Sequence, residues 1–319
     1  MDRHEYLMQR KRIKRKRRRV VIVSLFMLVF LSIGYYAFSS YSSLLHIYSG
    51  FKRDKSNLRA VNVDLTKKPF SVLVMGIEDY ATNGENGRTD SLIFLTVNPN
   101  TKQVTMVSLP RDSRVTIAGR NTKDKLNAAH AYGGEKMAIE TVEQFLNVPV
   151  DHYIKIDFKG FKEIVNAVDG VTVDVPFDFK ERSDVNWYKE IQFTKGPQQL
   201  NGEEALAYVR MRKEDPSGDF GRTKRQRQML AAVVSKLSSP SSVFKINDVA
   251  KAIGDNIKTD IDINDGLALY QKFAGFDTST ISTLTLQGKD ETINGIYYFA
   301  PDSKSVNDIH NALMQSLEL

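Results

Sequence analysis

The stretch 70–109, FSVLVMGIEDYATNGENGRTDSLIFLTVNPNTKQVTMVSL, decides the fold. Phe70–Met75 is an apolar run ending at Gly76, Ser91–Val97 is a second, and Val104–Leu109 is a third. Short runs rich in Val, Ile and Phe, bounded by turn residues, read as buried strands. Asn98-Pro-Asn100 supplies a turn, so the second and third strands form a hairpin. Downstream the period changes. Glu135–Leu146 repeats at helical spacing after Gly133-Gly134, and Phe158–Val168 reads as a helix between strands Tyr153–Ile156 and Val171–Val175. Gly202–Tyr208 reads as a helix turning into an extended Arg210-Met-Arg212, which sets both arginines on one side of a strand. Helices follow at 219–237, 244–256 and 262–275, strands at Thr283–Leu286 and Ile296–Phe299, and a closing helix at 302–316. Pro240-Ser-Ser and Gly288-Lys-Asp mark loops. Strands interleaved with helices and containing a hairpin imply an α/β fold, a three-layer α/β/α sandwich around a mixed central sheet.

The chain has 319 residues, no cysteine and a formal net charge of +7. Disulfides and thiolate metal sites are thereby excluded. Residues 1–19 carry ten Lys/Arg against Asp2 and Glu5, which leaves a net charge of −1 for the rest. The basic character is a tail. Val20–Phe38 then runs nineteen residues without a charge, long enough to span a hydrocarbon core of about 30 Å. Tyr35, Tyr36 and Tyr41 lie near its far end, as interfacial aromatics do. Organisation is therefore expected as a basic cytoplasmic tail (1–19), a transmembrane helix (20–39), a stalk (40–68) and an extracellular domain (69–319). The positive flank keeps the N-terminus inside, giving a single-pass type II protein of the cell membrane, Gram-positive-like. Two competing readings are a cleaved signal peptide and a nucleic-acid-binding tail. The run is longer than a usual signal core and lacks a clean small-x-small cleavage site, and a tail of nineteen residues next to a span carries no DNA-reading motif.

Polar clusters gather at the strand ends. The first, Gly76-Ile-Glu78-Asp79 with Gly87-Arg88-Thr-Asp90-Ser91, holds carboxylates at the ends of neighbouring strands. Glu78 or Asp79, together with Asp90, is a reasonable ligand set for a hard divalent cation; an ordinary loop with local Asx turns is the alternative. The second is Ser108-Leu-Pro110-Arg111-Asp112, and the third Lys125-Leu-Asn127-Ala-Ala-His130-Ala-Tyr132-Gly133-Gly134. His130 reads first as a satisfied helical histidine and second as a ligand.

The fourth cluster, Tyr208-Val-Arg-Met-Arg212-Lys213 continuing to Asp219-Phe-Gly-Arg222-Thr-Lys-Arg-Gln226-Arg227, contains seven basic residues, five of them arginine. Planar guanidinium forks grip phosphate oxygens in pairs. On the helix, Asp219, Arg222 and Gln226 share a side that continues as Met229, Val233 and Leu237, while Lys224 and Arg227 point to water. Arg222 thus stands where an apolar helix face opens into a polar site, which suits a phosphate-rich ligand beside a hydrophobic interior. No GxxxxGK[ST], HExxH or GxSxG motif is present. A covalent hydrolase is disfavoured, and the residue types fit electrostatic catalysis on a phosphate or pyrophosphate.

Taken together, Gly76-Ile-Glu78, Gly87-Arg-Thr-Asp90-Ser, Ser108-Leu-Pro-Arg111-Asp, Lys125-Leu-Asn127, Tyr132-Gly-Gly134, Tyr208-Val-Arg210-Met-Arg212 and Asp219-Phe-Gly-Arg222 with Arg225-Gln226-Arg227 resemble the LytR-CpsA-Psr family of bacterial cell-envelope proteins. The resemblance implies a magnesium-dependent phosphotransferase at the membrane. It would move an anionic glycopolymer, such as teichoic acid or capsule, from undecaprenyl pyrophosphate to peptidoglycan, without nucleic acid as partner. By the same resemblance, Mg2+ sits on two acidic residues, Glu78 or Asp79 and Asp90. The family's first ligand is usually aspartate, so glutamate at 78 with Asp79 beside it leaves that ligand open. Arg88, Arg111, Arg210, Arg212 and Arg222 would hold the pyrophosphate, Lys125 and Gln226 would line the site, and Asp219 would orient the arginines. Alternatives in function are a polyprenyl-pyrophosphate hydrolase, an idle binder of such lipids and a membrane-anchored transcription attenuator.

Overall fold

The computed structural model describes residues 51–319 apart from 52, 54, 79–86, 187 and 240–256. The expected tail, the transmembrane helix, residues 40–50 of the stalk, Asp79 and the helix at 244–256 lie outside the described residues. Among those described, no helix is long and apolar enough to cross a membrane.

Strands β1 (Phe70–Ile77), β2 (Thr89–Val97) and β3 (Val104–Ser108) form an antiparallel meander, with the expected hairpin between the second and third. A small hairpin, β4 (Arg114–Ile117) with β5 (Thr122–Lys125), precedes α1 (Ala128–Leu146). That helix breaks at Gly133 and Gly134, the latter at φ +64°, so the glycine pair interrupts rather than opens it. Strand β6 (His152–Asp157) lies parallel to β1. Helix α2 (Phe158–Ala167) follows, with the Asp157 carboxylate accepting from the Gly160 N–H at 2.6 Å. Next come β7 (Val171–Val175), β8 (Phe179–Arg182), β9 (Glu190–Phe193) and β10 (Gly196–Leu200), paired as β7 with β10 and β8 with β9. An Asn201–Glu204 capping box starts α3 (Gly202–Arg210), and α4 (Asp219–Ser238) follows. The remainder is β11 (Ile257–Thr259), α5 (Ile263–Lys272), β12 (Ser282–Thr285), the hairpin β13 (Gly288–Ile293) with β14 (Ile296–Pro301), and α6 (Ser303–Ser316). The central sheet has six strands in the order β11-β6-β1-β2-β3-β12, mixed in direction.

Alternation along β1 sends successive side chains to opposite faces. Leu73 and Met75 join Phe94, Val142 and Leu313 in a core shared with α1 and α6. Val74 and Gly76 face the other way, toward α2, α3 and α4. Helices therefore lie against both faces of a mixed sheet.

Three expectations are corrected. Arg210 ends a helix, and Met211 caps it at φ −53° and ψ 132°, so Arg210-Met-Arg212 is no strand. Gly288-Lys-Asp290 begins a strand instead of a loop. The described part of the expected stalk packs onto the domain: Leu65 is buried with Phe70 and Val72, and Ser56 is fully buried.

Candidate active site

Gly76 ends the floor of a cavity of about 290 Å³ between the sheet and the three helices α2, α3 and α4. Val74, Ile93, Phe161, Val209, Met229 and Val233 give it an apolar wall. A Cβ at Gly76 would stand 3.1 Å from the Ser91 Cβ, so a larger residue would crowd the floor at the cavity mouth. The mouth itself is polar, formed by Glu78, Asp90, Arg210, Arg222 and Gln226. The α4 stripe explains the junction. Arg222 and Gln226 sit at the mouth, and Met229 and Val233 continue the same helix side inward.

Arg111 emerges just beyond β3 and donates from Nη1 to Asp90 Oδ1 at 2.5 Å, which joins the β2 and β3 ends as the hairpin requires. Its Nε lies 3.6 Å from Asp112, beyond hydrogen-bond reach. Asp112 in turn accepts the Lys125 ammonium at 2.7 Å. Arg222 pairs with Asp219 at 2.7 Å, three residues before it on the helix, and Arg212 lies 3.9 Å from the same carboxylate oxygen. Arg210 reaches the mouth from the end of α3, with its guanidinium 5.6 Å from the Phe158 ring centroid.

The charges press on one another. Burial pushes the Arg222 guanidinium down, and the like charges of Arg111 and Arg212 add to this against the pull of Asp219 and Asp90. Burial also opposes the Arg111 charge, but Asp90, Asp112 and Asp219 outweigh it and raise that group. The Nε atoms of Arg111 and Arg222 are buried without a hydrogen-bond partner. A buried donor is costly to leave unpaired.

Glu78 and Asp90 sit within hydrogen-bonding reach of each other. Partial desolvation raises the Glu78 carboxyl, Asp90's charge raises it further, and Arg210 and Arg111 pull it back. Two carboxylates that destabilise each other beside a phosphate-sized polar mouth fit magnesium, which takes one or two carboxylates and completes its shell with phosphate and water. Among the described residues no group of three or more His, Cys, Asp or Glu side chains could hold a metal ion.

Most of the expected residues converge here. Glu78, Asp90, Arg210, Arg222 and Gln226 line the cavity, Arg111 and Asp219 bind lining residues directly, and Arg212 stands outside Asp219, about half-exposed. Lys125 belongs to a neighbouring ring around Asp112, and Arg88 is exposed at the start of β2 in the field of Tyr132. His130 is buried, and its Nδ1 bonds the Gly87 carbonyl at 2.7 Å, which anchors the chain before Arg88. Arg227 is half-buried, and that burial lowers it, in contrast to the expected solvent-facing side chain.

Sequence reasoning missed the supports. Arg225, at 2 % exposure, donates from Nε to the Tyr208 carbonyl at 3.1 Å, from Nη2 to the Met211 carbonyl and from Nη1 to Asp215. It therefore ties down the backbone on either side of Arg210 and just before Arg212. Gly221 is needed beside it, since a Cβ there would lie 1.8 Å from Asp215 Oδ2. Helical spacing carried no signal of this, since an i, i+3 step sets Arg222 and Arg225 on the same side of α4.

Known proteins extend the comparison. The LytR_cpsA_psr family model matches residues 34–315. The chain is 47% identical over 308 residues to the polyisoprenyl-teichoic acid–peptidoglycan teichoic acid transferase TagV of Bacillus subtilis, covering 95% of this chain and 79% of that one. The crystal structure of B. subtilis TagV superposes with a TM-score of 0.72 at 49% identity, covering 79% of this chain and 98% of that one. A YwtF (TagT) structure with bound octaprenyl pyrophosphate lipid gives a TM-score of 0.66 at 29% identity, covering 84% and 98%. With the motifs in order along one mixed sheet and the match running over most of its length, the chain belongs to the LytR-CpsA-Psr family.

Proposed function

We propose that this protein is a phosphotransferase that moves an anionic glycopolymer from undecaprenyl pyrophosphate to a peptidoglycan hydroxyl. The observation that carries this reading is the apolar cavity closed at one end by arginines and paired carboxylates. A polyprenyl chain fits the apolar part, and its pyrophosphate then meets Arg111, Arg210 and Arg222. Relatives named as teichoic acid transferases, and one of known structure holding a prenyl pyrophosphate, support it.

The arginines bind the pyrophosphate and fix its phosphorus for in-line attack. A glycan hydroxyl oxygen forms the new P–O bond, and the anhydride P–O bond breaks. Undecaprenyl phosphate leaves with the electron pair, and the hydroxyl proton passes to solvent or a carboxylate at the mouth. Charge growing on the leaving phosphate is met by Arg210 and Arg222, held in place by Phe158 and Asp219. Magnesium held by Glu78 and Asp90 would supply charge neutralisation at the phosphate oxygens. The topology that suits this substrate is a single-pass type II membrane protein with its catalytic domain outside the cell.

The test uses the full chain in lipid nanodiscs with a prenyl-pyrophosphate-linked glycan, nascent peptidoglycan and magnesium. Mass spectrometry should find polymer joined to peptidoglycan through a phosphodiester, lost on EDTA treatment. Release of free phosphorylated glycan alone would make the protein a hydrolase, and intact donor after long incubation would make it a binder.

A further inference from the structure

We propose that the hairpin β13–β14 carries the subsite for the acceptor glycan, with the Tyr297 ring as its sugar-stacking face. The inference rests on the transferase reading above.

Stereochemistry sets the direction. In an in-line displacement the attacking and leaving oxygens lie on opposite sides of the phosphorus. The leaving oxygen belongs to the prenyl phosphate, whose chain occupies the apolar cavity. The donor polymer stays on the transferred phosphorus as an equatorial substituent. The acceptor hydroxyl must therefore arrive from the side of the arginines away from the cavity.

A continuous set of contacts leads to that side. Arg111 at Asp90 is followed by Asp112, Asp112 holds Lys125 at 2.7 Å, and the Lys125 ammonium stands 5.8 Å from the Tyr297 ring centroid and 5.7 Å from that of Tyr298. None of Asp112, Lys125, Tyr297 and Tyr298 lines the cavity. The hairpin is fixed at its base. The Phe299 N–H donates to the Asp112 carbonyl at 2.9 Å, Ser113 bridges to Phe299, and Phe220 packs edge-on to the Phe299 ring at 5.8 Å. Asn294 and Gly295, both at positive φ, close its tip in a tight turn.

The chemistry suits a carbohydrate. Tyr297 is 37 % exposed, and its hydroxyl donates to Asp290 at 2.7 Å. Exposed Thr292 stands opposite it and exposed Asp290 shares that face of the hairpin, so with Lys125 nearby the surface sets one aromatic plane among polar partners and is no continuous apolar patch. A pyranose has the matching form, with C–H faces for the ring and hydroxyls for the flanking charges.

The experiment uses the full chain in nanodiscs, saturated with lipid-linked donor and titrated with short uncrosslinked peptidoglycan glycan chains. Tyr297→Ala should raise the acceptor KM about tenfold, equivalent to about 1.4 kcal/mol. The kcat at saturating acceptor and the donor KM should stay within about twofold of wild type. Tyr297→Phe, which keeps the ring and loses the hydroxyl, should remain close to wild type. Calorimetric binding of the same glycan chains without donor should weaken in parallel. An unchanged acceptor KM in Tyr297→Ala, or a donor KM that moves instead, overturns the assignment and in the second case gives the ring to the donor polymer. A wild-type chain that binds donor but joins nothing refutes the transferase reading. The calorimetry then still decides the hairpin, and equal glycan affinity of wild type and Tyr297→Ala overturns it.

Discussion

Replacing Arg225 by methionine isolates the support beneath the phosphate-binding arginines. The side chain is 2 % exposed, and its partner Asp215 has a carboxylate only 4 % exposed. Methionine keeps much of the volume and removes all the donors. Asp215 is left as a buried, unpaired charge, which costs about 3–5 kcal/mol in comparable pairs. The carbonyls of Tyr208 and Met211 also lose their donor, at about 1–3 kcal/mol for each that stays dry. A loss of about 4 kcal/mol is thus expected, a large part of the roughly 5–15 kcal/mol that holds a domain together. The assay is urea unfolding of wild type, Arg225→Met, Asp215→Leu and the double variant. The denaturant dependence should keep its slope while the midpoint falls. The double variant removes the orphaned charge, so it should be less damaged than the two single effects added, by about 2 kcal/mol or more. A loss below about 1 kcal/mol for Arg225→Met, or strict additivity in the double variant, would refute the account of Arg225 as a clamp.

Four further outcomes follow from the same site. Arg222→Ala should fold and lose about 100- to 1,000-fold in transfer rate, read in the nanodisc assay, because it removes a donor to the charge that grows on the leaving phosphate. Val209→Trp should fill the apolar cavity and weaken prenyl-pyrophosphate binding in calorimetry, with binding of inorganic pyrophosphate little changed. Asp90→Asn should abolish both transfer and the magnesium response of pyrophosphate binding; a magnesium isotherm equal to wild type would strike Asp90 from the ligand set. His130 is pushed below its ordinary 6.5 by burial. The unfolded chain therefore takes up a proton near pH 6.5 that the folded chain refuses, and stability should fall as pH drops below that value, by up to about 1.4 kcal/mol per pH unit. His130→Asn should flatten that slope in thermal melts between pH 7 and 5.

Much of this was legible along the chain. The meander β1–β3 stands out because three buried runs are separated by turn residues, and the α4 stripe because Arg222, Gln226, Met229 and Val233 keep helical spacing. Arg210-Met-Arg212 misled, since i, i+2 spacing mimics a strand where a helix ends and the chain turns. Strands β5 and β13 are polar and largely exposed, so no apolar period marks them, whereas β14 was expected at Ile296–Phe299. Lys125 and Arg88 are placed at the phosphate site by the family resemblance, residue by residue. Which ring of partners each joins depends on contacts between β5, Asp112 and Tyr132 that spacing does not encode. The Arg225 clamp was hidden for the same reason, because its three acceptors lie 10 to 17 residues away along the chain.

The segment before β1 bears on where a working fragment of this protein can begin. Arg53 meets Glu143 at 2.8 Å, and Arg59 grips Asp151 through both Nε and Nη2, at 2.9 and 2.6 Å. The two carboxylates are 7% and 4% exposed. A recombinant fragment started at Lys67 or Pro69, where the composition first looks like a domain, strips both arginines and leaves the two carboxylates without a counter-charge, held only by the Val150 and Ser71 donors. At about 3–5 kcal/mol each, that loss rivals the whole stability of a typical domain. Residues that read as a tether are part of the folding unit, and a soluble version that keeps its shape has to start at or before Phe51, whose side chain packs against the core under α1.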